Sequence, residues 1–151
     1  MADGDLVFQS TKLRRVYDYW KAKRGTRRLP ARRDIDPLDL GFVLGDIALV
    51  DVLYEPLRFR FRLDGTHQVQ RFGFDMTGKL LDEYPDPEMR ALIDASYRDV
   101  VASGRPALRR RDLIADGRSF VYEVAILPMT VAGDRVEMLL SCIDFDIPRP
   151  A

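Results

Sequence analysis

The sequence predicts an α+β fold: a five-stranded antiparallel sheet with a helical crossover on one face and an N-terminal helical extension. Three observations predict it. Arg58-Phe59-Arg60-Phe61-Arg62-Leu63 alternates strictly, as a half-buried strand does. Pro87 to Ser103 carries apolar residues at helical spacing, between a proline start and the Gly104 stop. Strand-like segments fall in two groups, 47–63 and 106–145, so helices interrupt the strand order instead of alternating with it. The chain has 151 residues, which suits one domain, and 46% hydrophobic with 32% charged residues is an ordinary globular composition. Basic and acidic residues balance at 24 each, so bulk charge offers no case for DNA or an anionic membrane as partner.

The elements divide into an extension over 1–45, a core over 46–146 and a tail over 147–151. Residues 10–24 form an amphipathic helix in which Leu13, Val16, Tyr17 and Trp20 share one stripe. Ser10 or Thr11 caps its start and Gly25 its end. Such a stripe needs a cover. Either it packs on the sheet of its own domain or it meets a second molecule, and the expectation leans to a dimer or partner face in a homodimer. Asp36-Pro37-Leu38-Asp39 then starts a short helix to about Leu44, with Gly45 as its stop. Ile47 to Val52 is β-branched and apolar, and Tyr54-Glu55-Pro56-Leu57 joins it to the alternating strand. There the three arginines face one way, and Phe59, Phe61 and Leu63 the other.

Thr66 to Phe72 reads as a short helix, and 87–103 as a longer one with Met89, Leu92, Ile93, Tyr97, Val100 and Val101 on one face. Three strands follow, at about 106–114, 118–128 and 135–145. Asp116-Gly117 signals a tight turn between the first two, and Ala132-Gly133-Asp134 joins the last two. The tail from Ile147 holds two prolines and is expected to fray.

Two passages of text resemble a known family. Asp64-Gly65-Thr66-His67-Gln68-Val69 and Phe72-Gly73-Phe74-Asp75-Met76-Thr77-Gly78-Lys79 are similar to the crossover of PAS domains. Tyr19-Trp20 followed by Leu29-Pro30-Ala31-Arg32-Arg33-Asp34-Ile35-Asp36-Pro37 resembles the small alphaproteobacterial PAS type 5 family, and the likeness spans roughly residues 13–145. It implies a PAS-like sheet and a cytoplasmic bacterial signalling or regulatory module that is not an enzyme. It implies a protein partner in a signalling pathway and no defined ligand. With no output domain in the sequence, the signal is expected to leave by contact with another molecule.

The aromatic and apolar set Phe59, Phe61, Phe72, Phe74, Ile93, Tyr97, Tyr122, Val124 and Ile126 would then lie between sheet and crossover. Most of it is core. A small-molecule pocket there is the functional reading, with Tyr97 and Tyr122 as polar handles. No catalytic residue and no metal site is expected. The single histidine, His67, lacks a nucleophile elbow, and one histidine with one cysteine falls short of zinc ligation. Any cofactor is left unknown, but the resemblance disfavours two. Haem-binding PAS domains use a histidine on the long helix, which has none here. Flavin-binding ones carry a crossover cysteine, whereas Cys142 sits on the last strand.

Two rival readings remain. An isomerase or dehydratase on a cone-like α+β fold would bring Asp64, His67 and Tyr122 together. A cyclic-dinucleotide binder would use the basic run from Lys12 to Arg33, above all Arg27, Arg28, Arg32 and Arg33. The bland reading of that run is a solvated face. The N-terminus lacks a signal-peptide pattern, no stretch is apolar enough to insert into a membrane, and Cys142 has no disulfide partner, so a cytoplasmic location is expected.

Overall fold

A computed structural model describes residues 6–115 and 117–148. The order of elements is α1 (Thr11–Arg24), β1 (Ile47–Leu53), β2 (Arg58–Asp64), α2 (Thr66–Phe72), α3 (Pro87–Ser103), β3 (Ala107–Ala115), β4 (Arg118–Met129) and β5 (Met138–Asp144). The five strands form one sheet in the order β2-β1-β5-β4-β3, and every neighbouring pair is antiparallel. The two strand groups of the sequence thus meet through β1 and β5, with α2 and α3 in the crossover between them.

Local chemistry explains most boundaries. Asp86 caps α3 by accepting from the Met89 N–H at 2.9 Å, and Pro87 occupies the first turn. Gly104 ends it in the left-handed conformation that glycine adopts without strain. Between Asp36 and Asp46, by contrast, the expected short helix is two 3-10 turns, Pro37–Leu40 and Leu44–Asp46. Gly41 between them weakens α propagation, and the Asp36 carboxylate satisfies only the Leu38 N–H.

The alternation of β2 also breaks. Leu49 pairs with Leu63 and Val50 with Phe61, so Arg62 is an extra residue in a β-bulge. Phe59 and Phe61 keep their inward side, being 1% and 4% exposed. Leu63 does not: it moves to the outer side and is 42% exposed, which corrects the expectation that it faces the core. The following residue, Asp64, is turned inward in its place. The outer edge of β2 is covered by the crossover, where the Phe61 N–H donates to the Lys79 carbonyl at 2.9 Å and the Gly78 N–H to that of Phe61 at 2.7 Å.

Helix α1 packs on β4 and β5 from the sheet face opposite α3. Its stripe is fully used there: Leu13, Val16, Tyr17 and Trp20 are 0%, 1%, 5% and 1% exposed within the single chain. The Trp20 indole N–H donates to the Pro128 carbonyl at 2.9 Å. These four side chains are therefore not free to form a dimer or partner face, because their apolar area is already buried on their own sheet.

The Leu29–Pro37 passage docks beside them. Leu29, Ala31 and Ile35 are buried, Asp34 accepts from the Ala31 N–H at 2.8 Å, and the Arg32 N–H donates to the Thr130 carbonyl at 2.8 Å. Of the tail expected to fray, Ile147 is buried, while residues 149–151 lie outside the described ones, as does Asp116 of the predicted β3–β4 turn.

Candidate functional site

The inner sheet face and the crossover enclose a cavity of about 40 Å³. That is room for one water or a few ligand atoms. Phe61, Phe72, Phe74, Ile93, Tyr97, Tyr122, Val124 and Ile126 all line it. Phe59 does not. It lies one step toward the core, edge-on to Tyr97 with ring centroids 5.3 Å apart. Three more apolar walls come from Met76, Met89 and Ile143, and a third phenol from Tyr84.

Polar groups converge on this apolar shell from four elements. Asp64 enters from the end of β2, Gln68 from α2, Arg111 from β3 and Ser141 from β5. Each is held. The Met76 N–H donates to Asp64 Oδ2 at 3.0 Å, Gln68 Nε2 to the Asp46 carbonyl at 2.7 Å, and Arg111 Nη2 to Ser96 Oγ at 2.8 Å. The Tyr97 phenol lies within reach of the Ser141 hydroxyl, and that of Tyr122 within reach of the Arg111 guanidinium.

Burial sets the protonation of this cluster. It pushes the Asp64 carboxyl above the ordinary carboxylate range, against the pull of the Met76 N–H. It pushes Tyr84, Tyr97 and Tyr122 up as well, so all three phenols keep their protons and serve as donors. The cavity thus offers neutral hydroxyls, one carboxyl whose ionised form burial disfavours and one fixed cation.

Sequence reasoning found the aromatic wall because its spacing is periodic. It missed Gln68, Arg111 and Ser141 as cavity residues. The inward direction of Arg111 and Ser141 depends on strand register and that of Gln68 on how α2 docks, neither of which leaves a compositional mark.

His67 points elsewhere. Its Nδ1 lies 2.9 Å from Asp46 Oδ1, outside the cavity that Asp64 and Tyr122 share. The ring rests on Gly45, where a Cβ would come within 2.7 Å of it. Asp64, His67 and Tyr122 therefore do not form the convergent trio that an isomerase or dehydratase would need. Cys142 is buried on β5, and desolvation pushes its thiol up, as an inert core residue. Among the described residues no cluster of histidine, cysteine and carboxylates could hold a metal ion, and no helix is long and apolar enough to cross a membrane.

The outer face carries its own polar cluster, under the start of α1. Glu123 and Asp144 are paired neighbours on β4 and β5, and both are buried. Glu123 accepts from the Gln9 and Ser10 N–H groups at 3.0 Å each. Ser10 Oγ donates to Asp144 and accepts from the Leu13 N–H, so it caps the helix and ties it to the sheet. Lys12 Nζ sits 3.0 Å from Asp46 and 3.7 Å from Asp144.

Comparison with known proteins agrees with this geometry. A family model described as PAS domain matches residues 8–144. Among solved structures the chain is similar to the PAS domain of BvgS from Bordetella pertussis, with 20% identity over 76% of this chain and 90% of that one, and a TM-score of 0.56. A fungal LOV domain photoreceptor shares 12% identity over 76% of this chain and 94% of its own, with a TM-score of 0.48. An RNA-binding light-oxygen-voltage receptor shares 20% over 70% of this chain and 31% of its own, with a TM-score of 0.47. No curated protein matches. At these identities the likeness concerns the fold alone.

Proposed function

The chain belongs to a PAS domain family, and we propose on that premise that it is a non-enzymatic sensor or adaptor whose inner cavity takes a small ligand. The observation that carries the reading is the meeting of Asp64, Gln68, Arg111 and Ser141 within an otherwise apolar, aromatic shell. A core needs no such set. Their partners in the fold use only part of the hydrogen-bonding capacity of the Asp64 carboxyl and the Arg111 guanidinium, and a ligand with donors and acceptors takes up the rest.

The ligand that suits this site is compact and mostly apolar, with one polar end between Asp64 and Arg111. The cavity holds only a few atoms as it stands, so a larger guest would need Phe72 and Phe74 on the α2 side to swing outward. Such a movement favours one of two states of the crossover, and a protein partner would read the difference. The bacterial cytoplasm suits a domain whose only cysteine is buried and unpaired. The α1 stripe is covered by its own sheet, so a homodimer would use another surface.

Native mass spectrometry of the purified protein tests the reading. The expected result is a co-purified molecule that leaves on denaturation and is absent from the cavity-filling variant Ser141→Met. A mass-clean wild type, whose Tyr97 and Tyr122 resonances also ignore a panel of small hydroxylated aromatics, would remove the ligand half and leave the adaptor.

A further inference from the structure

The basic run that the cavity does not use has a structure of its own. Ten Lys and Arg stand between Lys12 and Arg33 against one acid, Asp18. Carboxylates neutralise few of them: Lys12 meets Asp46 and Asp144, Arg14 meets Asp18, and Arg27 meets Asp34. Arg15, Lys21 and Lys23 lie instead over the rings of Phe42, Tyr17 and Tyr19. A ring holds a cation in place without cancelling its charge.

Beyond the end of α1 a groove of about 250 Å³ opens between residues 27–33 and the β4–β5 loop. Its two walls are pinned together, because the Arg32 N–H donates to the Thr130 carbonyl at 2.8 Å and the Thr130 N–H to that of Pro30 at 3.0 Å. Arg27, Arg28 and Arg33 line it with the apolar Leu29 and Val131, and Asp134 is the one acid. Arg27 is committed to Asp34 at 2.9 Å and to the Lys23 and Arg24 carbonyls. Arg28 and Arg33 make no hydrogen bond or ion pair among the described residues. The loop's own amides are occupied: Val131, Ala132 and Gly133 all donate to Glu137 Oε1. Arg28 and Arg33 thus border a preformed groove with an apolar wall, the Arg28 guanidinium resting on Gly104 at the end of α3 and the Arg33 charge reaching Asp34.

We propose that this groove binds a small phosphorylated molecule, with its phosphate on Arg28 and Arg33 and its organic body on Leu29 and Val131. Planar guanidinium forks match phosphate oxygens in pairs, and two such cations balance the charge of one phosphate monoester. Asp134 repels a second anionic group, which favours a single phosphate over a polyanionic strand. The site is separate from the inner cavity, so it stands or falls independently of the ligand proposed there.

Titration of the full chain by nuclear magnetic resonance, with inorganic phosphate and adenosine monophosphate as probes, tests this. The expected result is saturable binding that shifts amides of residues 27–33 and 130–134 and weakens as salt rises. Arg28→Ala and Arg33→Ala should each weaken it by about tenfold or more, while Asp134→Asn should tighten it. Lys21→Gln with Lys23→Gln, which removes twice the charge of either arginine variant but outside the groove, should change affinity by less than about twofold. A nucleotide that binds more tightly than phosphate supports a role for Leu29 and Val131, and equal affinities place the recognition on the phosphate alone. The proposal is overturned if neither probe saturates, or if the lysine pair costs as much as the arginines, which would mean diffuse attraction. It is also overturned if only an RNA oligonucleotide, added as a third probe, binds.

Discussion

The two faces of the one sheet solve opposite problems. Under α1 the outer face is closed: its apolar stripe is buried, and its carboxylates Glu123 and Asp144 are each answered by the helix start or by Lys12. The inner face is richer in aromatics and has a polar set of its own, yet it keeps a cavity, and desolvation works against its carboxyl Asp64. A polar group can thus be buried for two reasons. On the outer face burial anchors a helix, and on the inner face it leaves chemistry available to a guest.

The sharpest way to break this contrast is to hollow out each side. Trp20→Ala removes the largest fully buried side chain of the outer face and should cost about 3–5 kcal/mol in urea unfolding. A loss under about 1 kcal/mol would mean that α1 does not hold the sheet in solution. Next in size is the anchoring carboxylate. Glu123→Gln weakens two charge-assisted bonds to the Gln9 and Ser10 N–H groups and should cost about 1–3 kcal/mol, with early loss of amide protection in α1.

On the inner face the sign reverses. Asp64→Asn removes a carboxylate whose ionised form burial disfavours, so the variant should melt above wild type at pH 7. Because the folded pKa is raised, that advantage should begin to shrink as pH falls through the folded value and be gone below the lower, unfolded one. A destabilised variant would show Asp64 to be an anchor like Glu123.

The smallest effect sharpens the same rule outside both faces. Glu137 accepts from three loop N–H groups and the Thr130 hydroxyl, chiefly the Val131 and Gly133 amides, and they hold its pKa down at about 2. Its folded pKa lies below the unfolded value of about 4.3, so its contribution is present above that pH and is lost as pH falls toward 2. Wild type should therefore lose stability over that window faster than Glu137→Gln, in the opposite sense to the Asp64 pair.

Much of the architecture was legible because local and global signals agree. Thr66–Phe72 and Pro87–Ser103 have the predicted bounds, since Gly65, Gly73, Asp86, Pro87 and Gly104 mark them chemically. The stripe of α1 was legible as apolar, but its cover was not, because one buried face looks the same to a sheet and to a second subunit. The 3-10 turns over 37–46 were misread because a good cap says where a helix starts, not how far it runs. The polar side of the site was hard to read for a deeper reason. Periodicity places side chains on a face, but which face meets the cavity follows from how β3 and β5 pair, and in β2 a bulge turns Leu63 out and Asp64 in.

That displaced residue has a practical corollary. Deleting Arg62 would close the offset yet leave Leu63 outward and Asp64 inward, because the shortened strand alternates Phe61 in, Leu63 out and Asp64 in. The chamber would keep its acid, and only the Arg62 contact with Asp51 would be lost. The selectivity dial of this edge strand is therefore the side chain at position 64 itself: relatives with an apolar residue there should prefer guests of different polarity.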